Sequence, residues 1–516
     1  MKDTSLYLPE DLHVGRASEL HGRDRLLYRA LEILPGTLSW LTLIGVVFLS
    51  FFAPVAAAYL IIAFSLFWLL KTIYLSLHVR HNWRRLKRNM NMDWEKMLEH
   101  FSYGHLRHLI LLPYYQEDYA TVSATVAKLA ETSGDKKKIY VVLAPEERAG
   151  KSAQEIAERV VSEYGSVFGY IGVSVHPKDV PGEMAGKGSN IAHAAQWART
   201  HVLDPQGISY KDVIVSAFDI DTVVYPQYFL CLNWYFLTTE RPDYASFQPV
   251  PLYNNNIWEA PSFSRVAATS GTFWQMIQQE RPEKLATFSS HAVSFAALHR
   301  VGYWQKNMVS EDSRIFWNMF FAHNGDYRVV PISYPVSMDA NLAVSTWQTF
   351  KNIYKQNRRW TYGVENVPYI IYHAIRNKRF SLFDRLRMVW VQIEGFWSLA
   401  THPLILFSLG WLPLLVGGRE FSTTILSYNL PIVARTFLTL AMGGLIVSAI
   451  ISTSLLPERP QHCSRSKYIG MTLQWILVPV TMIVFSAIPG LDAQTRLMFG
   501  RYMGFWVTPK RATRST

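Results

Sequence analysis

The sequence predicts an α/β domain set between α-helical transmembrane segments. Three observations carry that expectation. From Ile33 to Leu70 no residue is charged. Between about 104 and 362, short apolar runs alternate with helical stretches, the pattern of a parallel sheet wrapped by its crossover helices. After residue 380, long apolar blocks return. The whole chain is 49% hydrophobic and only 17% charged, below the quarter usual for soluble domains, so the apolar blocks point to lipid.

Residues 1–36 read as a cytoplasmic N-terminal segment. Lys2, Asp3, Glu10, Asp11, Arg16, Arg23 and Arg25 give it a charged character that predicts no secretory signal. The uncharged run from Ile33 would extend ~57 Å as one helix, close to twice a ~30 Å hydrocarbon core. Pro54 sits near its middle. A transmembrane hairpin over 37–77 follows, with spans of about 37–53 and 55–77. Arg23, Arg25 and Arg29 precede it, and Arg80, Arg84, Arg85, Lys87 and Arg88 follow. Positive flanks on both sides predict that both ends face the cytoplasm, with 78–103 a basic interfacial linker.

In the 104–362 domain, His108–Pro113 and Lys138–Leu143 read as strands, and Asp118–Thr132 between them as a helix. Ala153–Tyr164 is a second helix, Ser166–His176 a strand and Ser189–His201 a helix. Val213 to Phe218 is a further buried strand, and Asp219-Ile-Asp221 emerges where it ends. Ligands of open α/β sheets gather at such carboxyl ends. Two acids one residue apart repel each other unless a cation sits with them. Mg²⁺ carrying phosphate oxygens is a natural occupant, and a solvated turn is the plain alternative.

Residues 363–489 hold three apolar blocks, Met388–Gly417, Pro431–Leu456 and Met471–Pro489, that span or lie in a membrane. The 457–467 loop and the C-terminal tail are both basic, and three simple crossings cannot leave both on one side. Either one block is interfacial or re-entrant, or the first is two crossings. Residues 490–516 begin with an amphipathic stretch, Leu491–Met503, suited to a membrane surface.

Six short motifs occur in order along the chain. They are Leu112-Pro-Tyr-Tyr-Gln-Glu117, Gly186-Lys-Gly-Ser-Asn190, Asp219-Ile-Asp221, Ser310-Glu-Asp312, Gln356-Asn-Arg-Arg-Trp360 and Phe505-Trp-Val-Thr-Pro-Lys510. On these the chain resembles the membrane-integrated family-2 glycosyltransferases of the cellulose and hyaluronan synthase branch. The resemblance implies a GT-A (Rossmann-like) glycosyltransferase domain over 104–362. It implies Asp219 and Asp221 as ligands of Mg²⁺ or Mn²⁺, and Asp312 as general base. It further implies donor or acceptor contacts from Tyr115, Glu117, Lys187, Asn190, Gln356, Arg359 and Trp360, and a gating-like C-terminal loop carrying Thr508 and Lys510. One place departs from the pattern: where the family has an Asp-Asp pair for the nucleotide base, this chain has Glu146-Glu147.

Chemistry asks for the same parts. An acceptor hydroxyl must lose its proton as it attacks, which a carboxylate within hydrogen-bond reach accomplishes. The leaving diphosphate needs cations: a planar fork from Arg359, point charges from Lys187 and Lys510. Plain alternatives stand beside these roles: Asp312 as a helix N-cap, and Arg358-Arg359-Trp360 or the Phe505–Lys510 run as interfacial anchors.

The expected partners are a nucleoside-diphosphate sugar, a polysaccharide or lipid acceptor, and membrane lipids. A net charge of +12 suits phosphorylated substrates and anionic lipid, and no nucleic-acid motif accompanies it. Cys231 and Cys463 are the only cysteines, too few for a disulfide framework. The function expected is that of a multi-pass cell-membrane enzyme with a cytoplasmic catalytic domain, extending a polysaccharide. Single transfer to a membrane lipid and a catalytically silent scaffold are the competing readings.

Overall fold

The computed structural model describes residues 6–508. Its α/β domain is built on an eight-stranded sheet: β1 (Arg107–Tyr114), β2 (Ile139–Pro145), β3 (Tyr170–Val173), β4 (Val213–Ala217), β5 (Val223–Val224), β6 (Ala245–Leu252), β7 (Ala292–Ser294) and β8 (Arg328–Ser337). The strand order is β3-β2-β1-β4-β7-β6-β8-β5. β1 pairs in parallel with β2 and β4, and β2 with β3. This half is Rossmann-like, and its strands share one carboxyl edge.

The sheet as a whole is mixed, a correction to the parallel sheet expected from the sequence. β7 runs antiparallel to both β4 and β6, β5 antiparallel to β8, and β6 parallel to β8. Alternation of strands and helices shows that crossovers exist but not which strands they join. The three-residue β7 carries too little periodicity to register at all.

Alternate residues of each strand feed a core on either face. Leu109, Leu111, Val142, Val213 and Val215 pack with Ile191, Ala195, Ile315 and Met319. Ile110, Leu112, Val141, Leu143 and Ile214 pack with Val122, Val126, Ala157 and Val160 on the other face. Asp118 caps the Tyr119–Ala130 helix by accepting from the Thr121 amide.

Long apolar helices flank this domain in sequence. Gly22–Phe52, Pro54–Met90, Ile425–Ser454 and the broken helical run Lys467–Met498 are long and apolar enough to cross a membrane, and Leu382–Phe407 with Leu409–Val416 forms a further pair bent by 47°. Their contacts order them. A Cβ on Gly417 would meet Pro54 at 2.8 Å, so the bent pair ends beside the turn between the first two helices. Ile425–Ser454 then runs alongside Pro54–Met90. Leu430 clusters with Ala58 and Ile61, Gly444 lies against Thr72 and Ser76, and Trp83 donates to Ser454 at 2.8 Å.

Lys467–Met498 packs on the α/β domain through residues 468–489 and on the Gly22–Phe52 and Leu382–Phe407 helices beyond, where Ser39 donates to Gln494 and Trp40 to Thr495. Tyr468 packs on Trp258 and Trp475 on Phe273, Phe485 lies against Phe263 and Phe350, and Thr361 donates to the Pro489 carbonyl.

Candidate active site

The site lies at the carboxyl edge of β1, β2 and β4. Asp219 follows β4, and its neighbourhood is fixed by main-chain bonds: the Phe218 amide donates to Leu111, and the Thr222 amide to Asp219. Thr125 donates to the Ile220 carbonyl. Asn255 donates to the Asp221 carbonyl at 3.0 Å and to Asp339 at 3.1 Å, holding the second acid's loop in place.

Lys187, at the start of the Lys187–Ala198 helix, is only 8% exposed. Its ammonium lies 2.7 Å from Asp219 and 3.0 Å from Asp312. Burial works against its charge, but Asp219 and Asp312 outweigh that and hold its pKa above the ordinary lysine value. Ser289 donates to the other Asp219 oxygen at 2.8 Å. A cationic group thus already stands between two acids that lie 93 residues apart in the sequence. The hard oxygens of Asp219 and Asp221 at one strand end are also the donor set that suits Mg²⁺ or Mn²⁺.

Asp312 does not cap its helix. The helix runs from Glu311 to Ala322, Ser310 is its N-cap, and Glu365 supplies the acceptor from outside. One Glu365 oxygen takes the Val309 and Ser310 amides at 3.1 and 2.9 Å and the Ser310 hydroxyl at 2.8 Å. The Asp312 carboxylate is thereby left to Lys187, while Thr287 donates to its carbonyl at 2.6 Å. His291 Nδ1 lies 3.8 Å from Asp312, and burial holds this imidazole below its ordinary pKa. Glu311 is buried beside Asp312. Burial first, and then that neighbouring charge, push its carboxyl up to about 8.

The Thr346–Thr361 helix starts at a Ser345 cap and distributes its last turns over three neighbours. Tyr354 and Arg358 both donate to Asp492, at 3.2 and 2.9 Å, so Arg358 is an internal tie. Arg359 stacks over Phe505 at 4.5 Å, and Lys355 over Trp506 at 5.3 Å. Trp360 sits between Tyr253 and Phe288, with ring centroids 5.8 and 6.1 Å away. Gln356, four residues before Trp360, is half-buried on the same side of the helix.

The C-terminal run reaches the site. A Cβ on Gly186, the residue before Lys187, would meet Phe505 at 2.6 Å, so only glycine admits this approach. Upstream, Arg29 donates to the Leu497 and Met498 carbonyls, and Tyr502 to Glu32 at 2.9 Å, which anchors the run to the first long helix. Thr508 is buried. Lys510 lies outside the described residues.

At the β1 and β2 ends, Glu117 accepts from the Tyr115 amide at 2.7 Å, closing the loop on itself. Arg148 stacks over Tyr115 at 4.4 Å and makes a two-pronged bond to Glu146 at 2.5 and 3.0 Å. Glu147 takes the Lys178 amide. Both acids standing where the Asp pair was expected therefore have protein partners. Asn190 is fully buried, and its amide donates to Ala144 at 2.7 Å, tying its helix to β2 rather than reaching the acids.

The structure thus gathers Lys187, Asp219 and Asp312 into one ionic group, with Asp221 on the same strand-end loop. Arg359, Trp360 and Phe505 stand around it. Tyr115 and Glu117 lie on the loop after β1, the strand that pairs with β4, and Asn190 lies on the Lys187–Ala198 helix. Ser289, His291, Glu311, Tyr253 and Asn255 escaped the sequence reading. Glu311 lies inside the Ser310-Glu-Asp312 motif, where the resemblance gives a role only to the aspartate, and no periodicity or motif marks the other four.

Residues 214–446 match the family model described as glycosyl transferase family group 2. The match starts inside β4 and covers the Asp219–Asp221, Asp312 and Gln356–Trp360 motifs. With the Rossmann-like sheet, it supports an enzyme of the glycosyltransferase class, whose residues 214–446 are similar to the family-2 type. No curated protein matches the chain in sequence. Among solved structures, one similar fold is the mannosyltransferase PcManGT from Pyrobaculum calidifontis in complex with GDP-Man and Mn²⁺. It shows 13% identity over 76% of this chain and 98% of that one, with a TM-score of 0.43. Another is S. aureus TarS 1-349 in complex with UDP-GlcNAc, at 9% identity, 77% and 92% coverage and a TM-score of 0.35.

Proposed function

We propose that this protein is a membrane-embedded inverting glycosyltransferase that moves a sugar from a nucleoside diphosphate to a growing polysaccharide. The observation that carries the reading is the ionic group Asp219–Lys187–Asp312, with Arg359 and the Phe505–Thr508 run beside it. One position thereby offers a cation-binding acid, a second acid, a cation and a closing loop.

In this reading Asp219 and Asp221 hold Mg²⁺ or Mn²⁺, whose chemistry is to neutralise charge on the donor's diphosphate. Lys187 turns from Asp312 toward the phosphates as donor enters, and Arg359 offers its planar fork to the same oxygens. Asp312, released, takes the proton of the acceptor hydroxyl as that oxygen attacks the anomeric carbon from the side opposite the diphosphate. Trp360, walled by Tyr253 and Phe288, presents an apolar surface to the acceptor sugar. The base of the nucleotide stacks near Tyr115, beside the Arg148–Glu146 pair. Closure of Phe505–Thr508, with Lys510 beyond it, excludes water from the donor.

The helix contacts support a topology for this chemistry. Gly22–Phe52 and the bent 382–416 pair each lead away from the α/β domain, while Pro54–Met90 and Ile425–Ser454 return toward it. That makes four crossings, with the Lys467–Met498 run lying at the interface along the domain. Both basic segments then face the cytoplasm with the catalytic domain, and the crossings stand where a product polymer would leave.

A screen of sugar nucleotides on the purified protein tests the proposal. Polymer should form with one donor, only with Mg²⁺ or Mn²⁺ present, and stop with chelator. A single-sugar product on lipid would replace polymer extension by single transfer. Absence of donor turnover with every nucleotide sugar would replace catalysis by a scaffold role.

A further inference from the structure

Residues 455–467 link the Ile425–Ser454 helix to the Lys467–Met498 run and lie against the loop that follows β6. Asn254 donates to the Leu455 carbonyl at 3.1 Å, and Trp258 to the Pro457 carbonyl at 3.3 Å. At this seam Glu259, His462 and Cys463 converge. Their ligand atoms all lie within 4.8 Å of one another, the one such grouping of three among the described residues.

His462 Nε2 is 3.6 Å from Glu259 Oε1. Tetrahedral zinc, with bonds of ~2.0–2.3 Å to nitrogen, oxygen and sulfur, spaces its ligands by about 3.3–3.7 Å. The pair therefore already sits at the separation of two ligands sharing an ion. Cys463 is buried, against a wall that includes Ile257, Trp258 and Met471. Lys467 Nζ lies 3.8 Å from its sulfur. His462 and Glu259 are exposed, so an ion has access from solvent.

We propose that Glu259, His462 and Cys463 bind zinc or a similarly borderline-soft divalent ion, with water as the fourth ligand. Thiolate and imidazole select such an ion over Mg²⁺, which separates this site chemically from the Asp219–Asp221 pair. Binding releases the thiol proton to solvent and takes the imidazole in its neutral form. The ion ties the membrane-side linker to the loop whose Asn255 holds Asp221 and Asp339. It therefore stiffens one wall of the catalytic site without touching substrate.

The test uses the full-length protein in detergent and maleimide labelling read by peptide mass spectrometry. Peptide mass spectrometry separates Cys463 from Cys231, which is fully buried in the domain core, whereas Cys463 keeps about 5% exposure beside the exposed His462. Zinc should slow Cys463 labelling about tenfold or more while Mg²⁺ leaves it unchanged. His462→Ala and Glu259→Gln should each raise the protecting zinc concentration by about tenfold or more. Co²⁺ should give a thiolate-to-metal absorption band that Cys463→Ser abolishes, a readout independent of labelling rate. Equal protection by Mg²⁺, protection undiminished in both variants, or a cobalt band that survives Cys463→Ser would overturn the site.

Discussion

Replacing Lys187 by glutamine removes a cation from between two acids without changing side-chain size much. The ammonium stands 2.7 Å from Asp219 and 3.0 Å from Asp312, so the nearest oxygens of the two carboxylates are no more than about 6 Å apart. At an effective dielectric near 20, two negative charges at ~6 Å repel by roughly 3 kcal/mol. Each lost attraction near 3 Å is nominally about 5–6 kcal/mol, offset largely by the desolvation that burying Lys187 cost. Breaking a buried pair from one side typically costs ~3–5 kcal/mol, and that is the expected loss of stability for Lys187→Gln in metal-free protein. Mn²⁺ should restore more stability to the variant than to the parent, because the ion replaces the missing positive charge. Unfolding in detergent, with and without Mn²⁺, measures both effects. Parent-like stability without metal, or equal stabilisation of the two proteins by Mn²⁺, would refute the electrostatic account.

Glu311 is held at about 8 by burial and Asp312, against an ordinary value of 4.5, so the folded protein binds a proton that the unfolded chain has lost across that window. Stability should therefore fall as pH rises from about 4.5 toward 8, and Glu311→Gln should flatten this slope in pH-dependent unfolding. Deleting residues 505–516 removes the ring against Gly186 and the partner of Arg359. It should leave a folded, membrane-inserted protein whose transfer rate is strongly reduced, as seen by radiolabelled product and by protease resistance together; an unchanged rate would remove the loop from catalysis.

Much of the domain's first half is legible in sequence because β1, β2 and β4 are continuous apolar runs closed by polar loops. The second half is hidden by proline. β6 carries Pro249 and Pro251, and β8 carries Pro331 and Pro335, residues that argue against strands. The sheet tolerates them because β7 pairs β6 only at Ser246 and Phe247, leaving the rest of that side open. The β6–β8 register also shifts between Gln248 and Val250, at Pro249. The acids of the site were readable as strand-end and helix-start carboxylates. Their meeting at Lys187 was not, since no local pattern encodes a contact between residues 187, 219 and 312. Asp312 itself sits where a helix cap is a fair expectation, but the helix starts at Glu311 with Ser310 as its N-cap, which places Asp312 inside the first turn. The long apolar helices were legible as apolar blocks, but their mutual packing was not, because Lys467–Met498 is as apolar as a span while packing on the α/β domain as well as on the Gly22–Phe52 helix.

In the proposed mechanism Asp312 acts on the acceptor's proton and not on the donor. Asp312→Asn keeps size and loses the base, leaving Asp219 and Asp221 to hold metal and diphosphate. The most direct measurement is nucleotide binding and transfer rate on the same preparation of this variant. Donor affinity should stay within a few-fold of the parent while the transfer rate falls by at least about a hundredfold. Near-parental transfer would contradict it.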